Sequence, residues 1–339
     1  MHESVLPFLS VCKRSMLSLA LALPLVWPGT LQALAAETPS FAIESSRASQ
    51  SLLLGITRAG QRLVTVGDRG HILYSDDEGQ SWQQAKVPAR QLLTSVFFYN
   101  DQLGWATGHD ALVLHTSDGG VSWEIQYQDL ELEAPLLDVF FLDEQRGFVA
   151  GAYGTLLRTD DGGASWEDMA DELDNEDGFH LNAITGVKGA GLFVVGEMGV
   201  MFRSQDDGDS WEAVDSPYEG SLFGVLPADK ERTLVVYGLR GHVYRSADFG
   251  DSWQRIALQT PAGGSFEFGL ADGALLADGS LLIVGHGGAV LRSTDDGQSF
   301  RAELRPDRLS YAGVAARKDG SLLLIGQGGV HSHSKAANP

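Results

Sequence analysis

The chain has 339 residues, 43% of them hydrophobic and 20% charged, with a formal charge of −21. A chain of this length can bury a large core without covalent staples, and its acidity works against binding nucleic-acid phosphates or anionic membrane surfaces. Cys12 is the only cysteine, which excludes intrachain disulfides.

The N-terminus reads as an export signal. Lys13-Arg14 is a positive start, Ser15 to Trp27 is an apolar stretch broken by Pro24, and Ala33-Leu34-Ala35 fits a small-x-small cleavage site. The apolar stretch is shorter than the ~20 residues a membrane span needs. The expectation is a signal peptide over residues 1–35 and one folded domain over 36–339, delivered to a periplasm or secreted. Removing the leader takes Lys13, Arg14 and Glu3 with it, so the mature chain is slightly more acidic.

From there on the chain repeats. A glycine ends an apolar strand at Gly67, Gly108, Gly151, Gly196, Gly238, Gly285 and Gly326, at intervals of 41 to 47 residues. Fifteen residues after each of the first six stands an aromatic residue that closes a Ser/Thr-x-Asp-x-Gly-x-Ser-Trp turn. The turn aspartates and aromatics are Asp77 and Trp82, Asp118 and Trp123, Asp161 and Trp166, Asp206 and Trp211, Asp248 and Trp253, and Asp295 and Phe300. In such a turn the carboxylate accepts backbone N–H bonds, the glycine takes positive φ, and the aromatic opens the next strand with a large apolar face. Six equivalent turns cannot all be active sites, so these acids read as structural.

Each glycine-ended strand is preceded by another strand, such as Leu93 to Phe98 or Leu136 to Phe141. One repeat is therefore four strands: A, then B ending in Gly-x-x-Gly, then C, the aspartate turn, and D. A four-stranded unit of ~40–50 residues is the signature of a β-propeller. Seven glycines give seven blades, and the fold class is all-β. The last repeat stops after its C strand, and a spare segment, Ser40 to Ser45, precedes the first A strand. The expectation is that this N-terminal strand closes the seventh blade as its outer strand.

Catalytic chemistry is sparse. The axis-facing register of the inner strands reads Gly55, Ser95, Ala183, Gly224, Gly269 and Gly313, with Asp138 the single acid. His109 and His286 stand at equivalent B–C turns far apart in the ring, and His331 and His333 alternate along one strand. Neither pair makes a closed metal site. The acidic insertion from Glu167 to Asp177 lacks the spacing of a calcium loop. No catalytic residue, cofactor or metal site is expected.

One basic feature repeats: Arg158, Arg203, Arg245 and Arg292 immediately precede the turn Ser/Thr in blades three to six, where blades one and two have Tyr74 and His115. They form an arc on one rim. Their acceptors are either the neighbouring turn carboxylates or a partner. The B–C turns carry Asp68, Arg69, His109, Asp110, Tyr153, Glu197, Met198, Arg240, His286 and Gln327, a mixed set suited to protein recognition.

The turn motif resembles the Asp-box, or bacterial neuraminidase repeat, of sialidase-type propellers. That likeness implies a structural turn away from the centre, and it raises the alternative of a glycan-active enzyme or lectin with Asp138 in the channel. The Phe/Tyr-Arg-Ile-Pro signature of those enzymes is missing: the matching stretch reads Leu52-Leu53-Leu54-Gly55-Ile56. The Arg-Thr-x-Asp-Gly-Gly-x-Ser-Trp form at Arg158 to Trp166, the seven blades and the leader resemble the photosystem II stability/assembly factor family. The resemblance implies a non-enzymatic scaffold that helps assemble or stabilise a membrane protein complex, docked through arginines. The residues it points to here are Arg158, Arg203, Arg245 and Arg292; Arg69 and Arg240, from the B–C turns, are further candidate partner contacts. The expected partner is an integral membrane protein, with no nucleic acid, and the expected state is a monomer that could associate peripherally with a membrane.

Overall fold

The computed structural model describes residues 40–334. The leader expected over residues 1–35 lies outside the described residues. Seven antiparallel sheets form the ring, six ordered A-B-C-D in sequence and the last A-B-C among the described residues. In blade one the A strand is Leu53–Ala59, B is Arg62–Gly67, C is Ile72–Ser75 and D is Gln83–Gln84. B strands are buried along all or nearly all of their length, while A strands mix buried and half-buried positions because one side faces the axis. The all-β seven-bladed propeller read from the repeats is the fold.

Cohesion comes from apolar layers between neighbouring blades. Phe141 of blade three stacks on Trp105 of blade two with centroids 3.5 Å apart. Four of the six turn aromatics add an edge: Trp123 meets Phe98, Trp166 meets Phe141, Trp211 meets Phe148 and Trp253 meets Phe193, all near 6 Å. Tilted aromatic pairs at this distance contribute about 0.5–1.5 kcal/mol beyond the area they bury.

The seventh sheet corrects one expectation. It has three strands among the described residues, Tyr311–Ala316, Leu322–Gly326 and Gly329–His333, and Ser40 to Ser45 does not pair with it. That segment runs along blade one instead. Ala42 N–H donates to Val87 O at 2.9 Å, and Gln84 is bonded to the backbone of both Ile43 and Ser45. The free edge of the last C strand is covered by side chains: Arg305 donates to Ser332 O and Arg317 to Ser332 Oγ. Such cover blunts an edge that would otherwise recruit another strand.

The N-terminus still helps close the ring, by a 3-10 turn at Ala48–Gln50. This turn lies so close to Gly329 that a Cβ there would overlap the Ser49 carbonyl oxygen, and Gly329 has φ +89°. Gly279 also has positive φ, but open space surrounds it. Gly329→Ala is therefore expected to cost ~3 kcal/mol or more, from clash plus backbone strain, against ~1 kcal/mol for Gly279→Ala. Urea midpoints of the two variants check the difference.

Candidate functional site

The six aspartate turns are built identically. The first Ser/Thr hydroxyl donates to the carboxylate at 2.7–2.8 Å. The second Ser donates its N–H at 2.8–3.0 Å and its hydroxyl at 2.5–2.6 Å. Hydrogen bonds to the charged form hold the carboxylate ionised. The Ser81, Ser165 and Ser210 hydroxyls, with their backbone N–H groups, pull Asp77, Asp161 and Asp206 down to about 2.

The residue after each aspartate is left-handed: Glu78, Gly119, Gly162, Asp207, Phe249 and Asp296 have φ between +57° and +72°. Its carbonyl is thereby offered to the preceding blade, and every one of the six is taken. The donors are Arg317 to Glu78 O at 2.7 Å, Arg62 to Gly119 O at 3.0 Å and Gln126 to Gly162 O at 2.9 Å. Arg146 donates to Asp207 O at 3.3 Å, Arg203 to Phe249 O at 2.9 Å and Arg245 to Asp296 O at 2.7 Å.

This geometry places the arginine arc. Arg203 and Arg245 are inter-blade clamps. Arg203 also pairs with Glu212 and with Asp251 at 2.6 Å. Arg158 is bonded to Asp160, Glu167 and Asp209, the last on the next blade. Arg292 pairs within its own blade, with Asp278 and Ser280. The side chains of Arg158 and Arg203 are only 18% and 16% exposed. By contrast Arg69 is 79% exposed, and Arg240 is exposed too.

Arg69 and Arg240 stand on the opposite face, at the B–C turns. Each turn there is a single 3-10 turn or close to it, with a left-handed residue at its middle: Arg69, Tyr153, Met198 and Arg240 at φ +53° to +58°, and Gly287 at +67°. Holding a non-glycine residue in this region costs on the order of 1 kcal/mol. Tyr153, Met198 and Leu239, on consecutive blades, are 67%, 54% and 38% exposed. His180 accepts the Tyr153 N–H at 2.8 Å and meets its ring edge-on at 5.1 Å. The acidic insertion folds into a short D strand and a 3-10 turn, Ala170–Glu172. Among the described residues no group of three or more His, Cys, Asp or Glu side chains gathers as a metal site. His331 bonds Gln327 O and His333 faces Glu303.

The channel holds what the sequence reading missed. Every A strand carries a bulge near its start, so each pre-bulge residue pairs with the B-strand glycine and the axis-facing residue follows two positions later. In blade six that residue is Asp272, paired with Val284, and not Gly269. The axis therefore carries two acids. Asp138 accepts Ser95 Oγ at 2.8 Å, Val139 N at 2.9 Å and Ile184 N at 3.0 Å, tying blades two, three and four. Thr94 and Asn182 make similar ties to the carbonyls of Leu136 and Leu222. Burial pushes Asp138 up to about 6, and burial with the nearby Asp138 charge pushes Asp272 up to about 7. Tyr237, buried beside both, is held well above its ordinary value, mainly by desolvation. The three groups line one cavity of about 330 Å³.

A family model described as the photosynthesis system II assembly factor YCF48 matches residues 50–128 and 124–265. A search of curated proteins finds no match. The solved structure "YCF48 bound to D1 peptide" is 18% identical with a TM-score of 0.66, covering 86% of this chain and 98% of that one. YCF48 from Cyanidioschyzon merolae is 16% identical with a TM-score of 0.66, covering 88% and 99%. Virginiamycin B lyase from Staphylococcus aureus is 12% identical with a TM-score of 0.70, covering 87% and 98%. At these identities the solved structures speak for the propeller fold.

Two outcomes are expected from this chemistry. Arg203→Ala removes a clamp and two ion pairs and should lower stability by ~1–3 kcal/mol, whereas Arg69→Ala should stay within ~0.5 kcal/mol. Urea unfolding of both variants checks it. The second concerns pH. Asp138 and Asp272 have folded values above the ordinary ~3.9, so their contribution is full below that value and is lost as pH rises through about 6 and 7. The turn aspartates have depressed values, so theirs is present above ~3.9 and is lost as pH falls towards 2. Urea midpoints should therefore peak near pH ~4 and decline from there to about pH 7, and Asp272→Asn should flatten that decline.

Proposed function

From the chain's membership of the YCF48 family of photosystem II assembly factors, we propose that it is an exported, non-enzymatic scaffold that holds a segment of a membrane protein during assembly. One observation carries the docking surface. Tyr153, Met198 and Leu239 are exposed on adjacent B–C turns, two of them in strained left-handed geometry. Exposed large side chains held on rigid turns suit protein recognition, because little freedom is lost on binding. Arg240, beside Leu239, and Arg69, on blade one's B–C turn and paired with its neighbour Asp68, supply exposed cations on the same face. The opposite rim is a poorer platform, since its arginines are engaged in clamps and ion pairs.

Export rests on the leader, with Lys13-Arg14 ahead of the apolar stretch and Ala33-Leu34-Ala35 at its end. It supports a periplasmic or secreted location; in a periplasm a membrane subunit's exported segments would be accessible. The complex of YCF48 with a D1 peptide supports a peptide-like ligand for this chain as well. Two acids facing one cavity favour a second reading, a catalytic or glycan-binding channel. Turnover of a glycoside that disappears in Asp272→Asn would establish it in place of the scaffold.

The test is capture by crosslinking from native membranes. Wild-type protein should recover one integral membrane protein or its assembly intermediate. Tyr153→Ser with Met198→Ser should reduce that recovery at least ~10-fold, the scale on which interface anchors act, while unfolding as wild type. Undiminished recovery by the double variant would refute the docking surface, and recovery of no membrane protein would refute the scaffold.

A further inference from the structure

The axial cavity treats its two acids differently. Asp138 accepts from three donors, in blades two, three and four. Asp272 occupies the same register position in blade six and has only the backbone of Gly273 and Val314 beside it. A carboxylate can accept about four hydrogen bonds, so Asp272 retains capacity directed at the cavity. Packing does not require an acid at this position: blades one, four, five and seven have Gly55, Ala183, Gly224 and Gly313 there. Burying a carboxyl that the fold does not need is costly.

Tyr237 gives an independent indication. It is 2% exposed, and its ring reaches the axis because blade five has a glycine opposite: a Cβ on Gly224 would overlap the hydroxyl. The same hydroxyl lies 3.3 Å from where a Cβ on Gly273 would stand, next to Asp272. Its hydroxyl opens onto the cavity, where it can meet a ligand. Leu54, Leu137 and Phe223 complete an apolar wall.

We propose that the axial cavity is a binding site for an organic cation, an alkylammonium or guanidinium group, held between Asp272, Asp138 and the Tyr237 hydroxyl with its aliphatic stem on Leu54, Leu137 and Phe223. Carboxylates of a desolvated cavity attract a cation far more strongly than the same groups in water. The chain's charge of −21 adds long-range attraction. The cation is either a free amine or a basic side chain of a bound protein. The site stands apart from the assembly role, and either can fail without the other.

The test is an NMR titration with n-butylammonium, with N-acetyl-arginine methylamide and with neutral 1-butanol, at pH 8 and pH 5, following the aspartate carboxyl carbons. The titratable groups that bear on Asp272 are Asp138 and Tyr237, and neither is cationic. Both carboxyls ionise with rising pH, so n-butylammonium should bind about 10-fold or more tightly at pH 8 than at pH 5. Asp272→Asn should abolish that difference, and Tyr237→Phe should weaken binding at both pH values. Asp272→Ala provides a second variant should the asparagine not fold, since Ala183 occupies the equivalent position. Response to n-butylammonium alone assigns the site to free amines; response to the capped arginine as well assigns it to a protein side chain. Silence from both cations, an equal response to 1-butanol, or unchanged affinity in the Asp272 variants overturns the proposal.

Discussion

One carbonyl in each of six blades holds this ring together. The turn aspartate fixes its loop through serine hydroxyls and N–H groups, and the loop can close only if the next residue is left-handed. That conformation turns the residue's carbonyl outward, and a side chain from the preceding blade donates to it in all six turns. The donors differ in type and position: Arg317 comes from an A–B connection, Gln126 from a D strand, and Arg203 from a C strand. The acceptor never changes. A rigid turn thus supplies a fixed point, and the chain is free to reach it from several directions.

Around the axis the same task is done with fewer parts. Thr94, Ser95, Asp138 and Asn182 tie blades two to five by hydrogen bonds across the inner strands. These ties exist because the bulge in each A strand turns two consecutive residues towards neighbouring blades and the channel, a common use of bulges near functional sites. The cost is a polar axis inside an apolar body, met at Asp138 by three donors. Asp272 lacks that compensation.

The periodicity made the fold legible. Glycine spacing and the fixed 15-residue step to the turn aromatic describe seven blades and the role of the six aspartates without any tertiary information. Three things were hidden, each for a physical reason. The clamp acceptors are backbone carbonyls, which carry no residue signature, so the sequence offered Arg203 and Arg245 only turn carboxylates or a partner as acceptors. The edge of the last blade is covered by Arg305 and Arg317, which nothing in a strand pattern announces, so Ser40 to Ser45 looked like the missing strand. Asp272 was passed over for Gly269 because small residues dominate the inner register. The signal was present in the spacing: Ser95, Asp138, Ala183, Asp272 and Gly313 each stand 13 residues before their B-strand glycine.

The two faces of the ring consequently have different freedom. On the turn-aspartate side, cations and carboxylates are committed to joining blades, and substituting them trades directly against stability. On the B–C side, a 3-10 turn closes the backbone in most blades with no help from the middle side chain. That side chain can be Arg69, Tyr153, Met198 or Arg240, while blades six and seven use Gly287 and Gly328. Glycine would relieve the strain everywhere, so the bulky residues of blades three to five persist against a local energetic preference. A face where side chains are dispensable to the fold, and nevertheless large and exposed, is where selection for recognition can act without first dismantling the ring.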